Sequence, residues 1–170
     1  MTESDSSHRI FLSLGTNLGE RRMNLQQAIS AMADSVDVTD VSRLYQTAPW
    51  GLEDQPDFLN ICLAGFSELS PPDLLIALKD VEGALGRKPG VRWGPRLIDI
   101  DIIFYDEIVY QADDLMIPHK HVAERAFVLV PLADIAPAYR HPIIGMTVTD
   151  MLAQVDESTV YRVAGQLHVG

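Results

Sequence analysis

Apolar and polar positions change period several times along this chain, and each change marks an element. "RIFLSLG" (9–15) is an apolar run closed by Gly15, the pattern of a buried strand. From Glu20 to Ala33, residues Leu25, Ala28, Ile29 and Met32 share one face at helical spacing. "VDVTDVSRLY" (36–45) alternates with period two and predicts a strand with one polar face. Residues 46–57, "QTAPWGLEDQPD", predict a long loop, and "FLNICLAGF" (58–66) the next strand. "SPPDLLIALKDVEGALG" predicts a helix with Ser70 as N-cap, Pro71 at its first position and Gly86 at its end. Leu74, Leu78, Val81 and Leu85 form its apolar stripe.

A loop rich in arginine, glycine and proline (87–96) precedes a strand over 97–105, a turn at Asp106 and Glu107, and a short strand at 108–110. The last third is less periodic. It predicts a short helix near 121–125, a strand near 127–131 and a helix near 147–154. The order β-α-β-β-α-β with a C-terminal addition is the ferredoxin-like, split βαβ plan of the α+β class: an antiparallel sheet with two helices on one face. That plan serves many functions and specifies none.

One strand breaks its own pattern. In "RWGPRLIDIDII" (92–103), Ile98, Ile100 and Ile102 share one face, while Asp99 and Asp101 share the other, about 7 Å apart along the strand. Aspartate is a poor strand former, and threonine or lysine would keep a face wet at less cost. Two carboxylates this close repel unless a cation lies between them. They suit Mg²⁺, which is commonly held by one or two carboxylates plus substrate phosphates. The pair alone is a weak motif, and a half-buried strand with a wet outer face is the plainer reading. The residues just upstream tip the balance.

The chain has 170 residues with a formal net charge of −11, yet four of its 13 lysines and arginines (Arg87, Lys88, Arg92, Arg96) lie within ten positions that contain no acid. An acidic protein that gathers positive charge in one segment can focus a compact anion there. Metal-binding carboxylates beside arginines imply a polyphosphate. The overall charge argues against nucleic acid as partner. No apolar run approaches the ~20 residues of a membrane helix, so no membrane association is expected. The length suits a single domain over 8–170, with Met1 to Ser7 as a disordered lead-in. The N-terminus lacks the pattern of a secretory signal. One cysteine, Cys62, excludes an internal disulfide, and its apolar context reads as a buried structural thiol. A cytoplasmic protein is expected.

Other candidates are weaker. Glu82 falls at the edge of its helix's apolar stripe, and a rim position with the carboxylate reaching solvent is the plainer reading. "PHKH" places His119 and His121 two apart; zinc would need a third ligand, and His119 could instead meet phosphate beside Lys120 and Arg125. Trp50 and Trp93 sit in loops next to proline and glycine, where an aromatic can close over a flat ligand. "GTNLGE" is not a Walker loop, and no GxGxxG follows a strand. The residues therefore indicate a Mg²⁺-dependent site for a polyphosphate. A kinase, a pyrophosphohydrolase using the histidines, and a nucleotide-binding regulatory module all remain open.

Four ordered blocks narrow this. "LSLGTNLGERRMNLQQAI", "YQTAPWGLEDQPDFLN", "RWGPRLIDIDII" and "PHKHVAERAFVLVPLADIAP" together resemble the hydroxymethyl-dihydropterin pyrophosphokinase family of folate biosynthesis over most of the chain. The resemblance implies diphosphate transfer from ATP to the hydroxymethyl group of the reduced pterin, with release of AMP. It implies that Asp99 and Asp101 hold two Mg²⁺ ions and that Arg87 and Arg96 contact the phosphates, assisted by Arg92, His119 and Arg125. Glu82 and Ile102 would lie on the ATP side. Phe58 and Phe127 would sandwich the pterin, with Asn60, Thr47 and Pro49 at its edge, and Trp93 would close the site. The implied partners are these two small molecules. A monomer is expected, and association with other folate-pathway enzymes stays open. Three positions depart from the family pattern: Phe58 and Lys120 each stand where some members have tyrosine, and Pro89 stands where many carry a second arginine, leaving Lys88, a point charge rather than a fork.

Overall fold

The computed structural model describes residues 6–49, 54–86 and 97–169. Strands β1 (His8–Thr16), β2 (Asp37–Val41), β3 (Leu44–Thr47), β4 (Phe58–Ser67), β5 (Asp99–Tyr105) and β8 (Val160–Val163) form one six-stranded sheet whose pairings are all antiparallel. Its order is β5-β1-β4-β3-β8, with β2 also paired to β4. Strands β6 (Tyr110–Ala112) and β7 (Leu115–Ile117) make a separate hairpin, where the sequence predicted a single strand at 108–110.

The predicted strand over 36–45 is two strands along one line. The pairing with β4 shifts register between Val38 and Asp40, and the alternation changes phase there, with Asp40 exposed and Val41 buried. At the gap the Ser42 N–H donates to Cys62 O, and the Ser42 hydroxyl accepts from Cys62 N–H, both at 2.9 Å. A side chain thus replaces the missing rung and gives the Cys62 N–H an acceptor.

Helices α1 (Arg21–Ala31) and α2 (Pro71–Ala84) cover one face. Leu25, Ala28 and Ile29 of α1, and Leu74, Leu78 and Val81 of α2, pack on Ile10, Leu12 and Leu14 of β1 and Leu59, Ile61 and Leu63 of β4. The expected cap is present: Ser70 Oγ accepts from Asp73 N–H at 3.4 Å. Just past the helix Gly86 adopts φ 100°.

The opposite face is covered too. The segment expected as a strand near 127–131 is instead helix α3 (Ala126–Ile135), preceded by a 3₁₀ turn at Val122–Glu124 and followed by α4 (Val148–Leu152). A run such as "AFVLV" reads equally as buried strand or buried helix. Here the second apolar face of the sheet, formed by Phe11, Cys62, Ala64 and Phe104, decides it, because Val128, Leu129 and Leu132 cover that face from one side of a helix. α4 opens on a capping box between Thr147 and Asp150. Cys62 is fully buried with Sγ 3.4 Å from Val128 O, and burial pushes its thiol pKa far up, so it is a structural residue.

After β8 the chain returns over α1. Arg22 donates to Ala164 O, the Gln26 side chain exchanges two 2.9 Å bonds with the His168 backbone, and Leu167 enters the core. Among the described residues no helix is long and apolar enough to cross a membrane.

Candidate active site

The alternation in β5 holds: Ile100 and Ile102 enter the core beneath α1 and α2, while Asp99 is partly exposed and Asp101 exposed. A register shift opposite Phe11 and Leu12 then adds one residue to β5, which turns both Ile103 and Phe104 to the α3 side. The bulge therefore ends the hydrophilic stretch just beyond the two aspartates.

β5 is the edge of the sheet, so every second residue directs its backbone polar groups outward. Glu82 satisfies one of them: its Oε2 accepts from Ile100 N–H at 3.1 Å, and the residue is only 4 % exposed. Glu82 is thus not at a solvent rim as its stripe position suggested. Leaving a buried N–H unpaired would cost roughly 1–3 kcal/mol. Ile102 is in phase with Ile100. Its side chain is buried, and what it offers outward is backbone.

A cleft of about 430 Å³ runs along this edge. α2 contributes Leu75, Lys79 and Glu82, the β6–β7 hairpin contributes Asp113 and Asp114, and His119 and Lys120 close the end. Asp99 and Asp101 both line it. The His119 N–H is fixed to Ile103 O at 3.0 Å, and its ring Nδ1 accepts from His121 N–H at 3.2 Å. That bond leaves the ring proton on Nε2, so the imidazole offers a neutral donor. Burial first, then the charges of Arg125, His121 and Lys120, lower its pKa to about 4.

This shift has a sign that can be tested. The unfolded chain takes up the His119 proton below about pH 6.5, whereas the folded chain resists until about pH 4. The stabilisation is complete above 6.5 and is lost as pH falls toward 4. Urea midpoints at pH 7.5 and pH 5.0 should therefore differ less in His119→Gln than in the parent. An equal difference in both would place the acid sensitivity elsewhere.

His121 is held apart from this role, 3.4 Å from Glu124. Among the described residues no group of three or more His, Cys, Asp or Glu side chains could hold a metal ion. A cation at Asp99 and Asp101 would take further oxygens from a bound phosphate or from water, the way Mg²⁺ is commonly held.

Across the sheet from the aspartates lies a second set of groups. Asp99 pairs with Gly15, and Gly15 with Asn60, so the three form a row across β5, β1 and β4. At ordinary strand spacing Asp99 and Asn60 stand about 10 Å apart at their Cα atoms. Gly15 makes the floor between them. A Cβ there would lie 2.9 Å from Asn60 Oδ1 and 3.6 Å from Phe58 Cδ1. Asn60 Nδ2 donates to Thr47 Oγ1 at 2.8 Å, which aims its acceptor Oδ1 over Gly15. Phe58 and Phe127, at the starts of β4 and α3, are both partly exposed, and Arg125 lies 5.5 Å from the Phe127 ring centre. Pro49, also partly exposed, follows two residues after Thr47. Asn17 donates to Gln55 Oε1 and Pro56 O at 3.1 and 3.2 Å, fastening the returning end of the loop.

Arg87, Arg92, Trp93 and Arg96, like Trp50, Lys88 and Pro89, lie outside the described residues. The structure brings together Glu82, Asp99, Asp101, Ile102 and His119 along the cleft, and Thr47, Phe58 and Asn60 on the neighbouring strands. The sequence reading missed Gly15 as a site residue. A glycine within a strand does signal close approach of another group, but here it looked like a strand terminus.

Comparison with known proteins defines the class first: a pyrophosphokinase, an enzyme of the diphosphotransferase type. A family model described as 7,8-dihydro-6-hydroxymethylpterin-pyrophosphokinase (HPPK) matches residues 11–137. The chain belongs to this family. It is 44% identical over 157 residues to a 2-amino-4-hydroxy-6-hydroxymethyldihydropteridine pyrophosphokinase of Methylorubrum extorquens, covering 91% of this chain and 98% of that one. It is 38% identical over 134 residues to the Aquifex aeolicus enzyme of the same name, covering 79% and 84%. Among solved structures, a Plasmodium falciparum HPPK-DHPS (A437G with SDX-DHP) superposes with a TM-score of 0.73 over 90% of this chain at 16% identity, a likeness of fold. This chain covers 46% of that longer one.

Proposed function

We propose that this chain transfers the diphosphate of ATP to the hydroxymethyl group of 6-hydroxymethyl-7,8-dihydropterin and releases AMP, a step of folate biosynthesis, with Mg²⁺ as its metal. The observation that carries this reading is the row Asp99–Gly15–Asn60. It sets a carboxylate pair on a cleft one glycine away from an amide on the strand that begins at partly exposed Phe58, in a chain of this family.

The division of labour follows from the geometry. The cleft along α2 and β5 takes the nucleotide, with Glu82 and the backbone of Ile102 on its wall. Asp99 and Asp101 would hold Mg²⁺, two ions by the family resemblance. When bound, the metal would neutralise phosphate charge on both sides of the transferred group. Arg87, Arg92 and Arg96 would contact phosphate oxygens, with His119 as a neutral donor and Arg125 assisting. Asn60 Oδ1 accepts from the pterin's amine edge, with Thr47 and Pro49 beside it, and Phe58 and Phe127 stack on the ring. Trp93 would close over the site with its loop. The pterin hydroxyl oxygen attacks the β-phosphorus in line, the bond to the α,β-bridging oxygen breaks, and the hydroxyl proton passes to solvent. No strong base is present in the set, so positioning and charge compensation supply most of the acceleration.

Product analysis tests the reading. ATP, Mg²⁺ and the reduced pterin together should yield AMP and the pterin diphosphate, with no AMP when the pterin is omitted. AMP or ADP without pterin would indicate a phosphohydrolase, and no product a nucleotide-binding module. The strand order supports a ferredoxin-like plan with a C-terminal extension. Our reading includes one domain over 8–170, acting in the cytoplasm as a monomer.

A further inference from the structure

We propose that Arg21 is a positioning residue for the pterin side of the site, acting from the opposite face of the sheet. Its Nη1 donates to Gln46 Oε1 at 3.2 Å and to Asp57 O at 2.9 Å. Gln46 Nε2 in turn donates to Asp57 Oδ2 at 3.2 Å, closing a triangle. Gln46 shares its face of β3 with Leu44, which packs in the core beneath α1 and α2, so the triangle lies below the sheet. Tyr45 and Thr47 point the other way.

The position of the triangle gives it leverage. Thr47 and Phe58 are the last paired residues of β3 and β4, and Asp57 comes just before that pair. Ladder ends open most easily, because few contacts oppose it. Arg21 crosses this end and joins the residue before Thr47 to the residue before Phe58. What it fixes is the spacing of Thr47, Phe58 and Asn60, and with it the Asn60–Thr47 bond that aims Oδ1 over Gly15.

A second observation is independent of these distances. Arg21 is the first residue of α1, where the helix dipole disfavours a cation. α1 has no acid in its first turn and no side-chain cap bond, and the acid beside Arg21 is Glu20 at the N-cap. The arginine's place at this end therefore accords with its bonds to Gln46 and Asp57. The support beneath Arg21 is firm, since Arg22 and Gln26 fasten the same helix to the C-terminal segment.

The inference rests on the assignment of Thr47, Phe58 and Asn60 to the pterin, and the experiment separates the two. Steady-state kinetics are measured for Arg21→Ala, Arg21→Lys, Gln46→Ala and Asn60→Ala, varying each substrate in turn. Arg21→Ala should raise the pterin KM by about tenfold or more while the ATP KM and kcat stay within about threefold, the signature of lost uniform binding. Arg21→Lys, which keeps one donor nitrogen able to reach both oxygens, should recover most of the loss. Gln46→Ala should show the same selectivity more weakly, and it serves if Arg21→Ala does not fold. Equal effects on both substrates, or none, in variants that fold would overturn the role of Arg21. If Asn60→Ala leaves the pterin KM unchanged, the pterin assignment itself fails, and the inference with it.

Discussion

Asp101→Ala and Asp99→Ala should each abolish diphosphate transfer, lowering kcat by about a thousandfold or more, the scale of removing a principal charge-stabilising group. The fold should survive, most plainly for Asp101. Its side chain is exposed on the face of the sheet away from the α1/α2 core, and its neighbours Ile100 and Ile102 keep the strand anchored. Surface substitutions of this kind usually change stability by about 0.5 kcal/mol or less. The large effect arises because, among the described residues, the pair belongs to no group of three or more His, Cys, Asp or Glu side chains that could hold a metal ion. Removing one carboxylate takes away half of the pair's charge and leaves phosphate charge uncompensated. Asp101→Asn should fall between, since an amide oxygen can ligate without contributing charge. Two measurements check this: turnover at saturating ATP and pterin, and Mg²⁺-dependent binding of a non-hydrolysable ATP analogue by calorimetry. The analogue should bind more weakly in the variants and lose its dependence on Mg²⁺. Near-parental turnover in either alanine variant would remove the aspartates from the metal role.

The parts of this site that were legible in the sequence are those encoded locally. Period two placed Asp99 and Asp101 on one face without any knowledge of the partner strand. The Ser70 cap and Pro71 marked the start of α2 because both act within a single turn. What was not legible depends on pairing between distant segments. Glu82 looked like a rim residue because its burial follows from β5 being the sheet edge, where Ile100 N–H needs an acceptor. The break at Ser42 was missed because it depends on pairing with β4: the register shifts between Val38 and Asp40, and the serine hydroxyl then completes the rung across to Cys62. α3 was read as a strand because its branched apolar residues suit either state. The choice was made by the face of Phe11, Cys62 and Ala64 that it covers. Arg21 carried no signal beyond an arginine at an unfavourable end of a helix, and its partners are 25 and 36 residues away.

Gly15 illustrates the same dependence and leads to the second large effect. Gly15→Val should reduce kcat/KM for the pterin by about a hundredfold or more, while binding of the nucleotide changes little. The argument is steric. No positive φ is recorded at Gly15, so its backbone tolerates other residues, and glycine is needed there for space. Even an alanine Cβ would stand 2.9 Å from Asn60 Oδ1, closer than such atoms approach. If Asn60 yields by turning its amide, the 2.8 Å bond to Thr47 breaks and Oδ1 leaves the place proposed for the pterin edge. The two further methyl groups of valine would also crowd Phe58, already 3.6 Å from the Cβ position, and fill the floor proposed for the pterin ring. Valine suits a strand, so the cost should fall on the site and little of it on the sheet. Gly15→Ala should show the same pattern at smaller amplitude. Paired titrations of the pterin and of an ATP analogue, with thermal unfolding as control, decide the matter. A loss of nucleotide affinity equal to the loss of pterin affinity, or a large fall in Tm, would mean that Gly15 serves the packing of β1 between its neighbours instead of the floor between the two halves of the site.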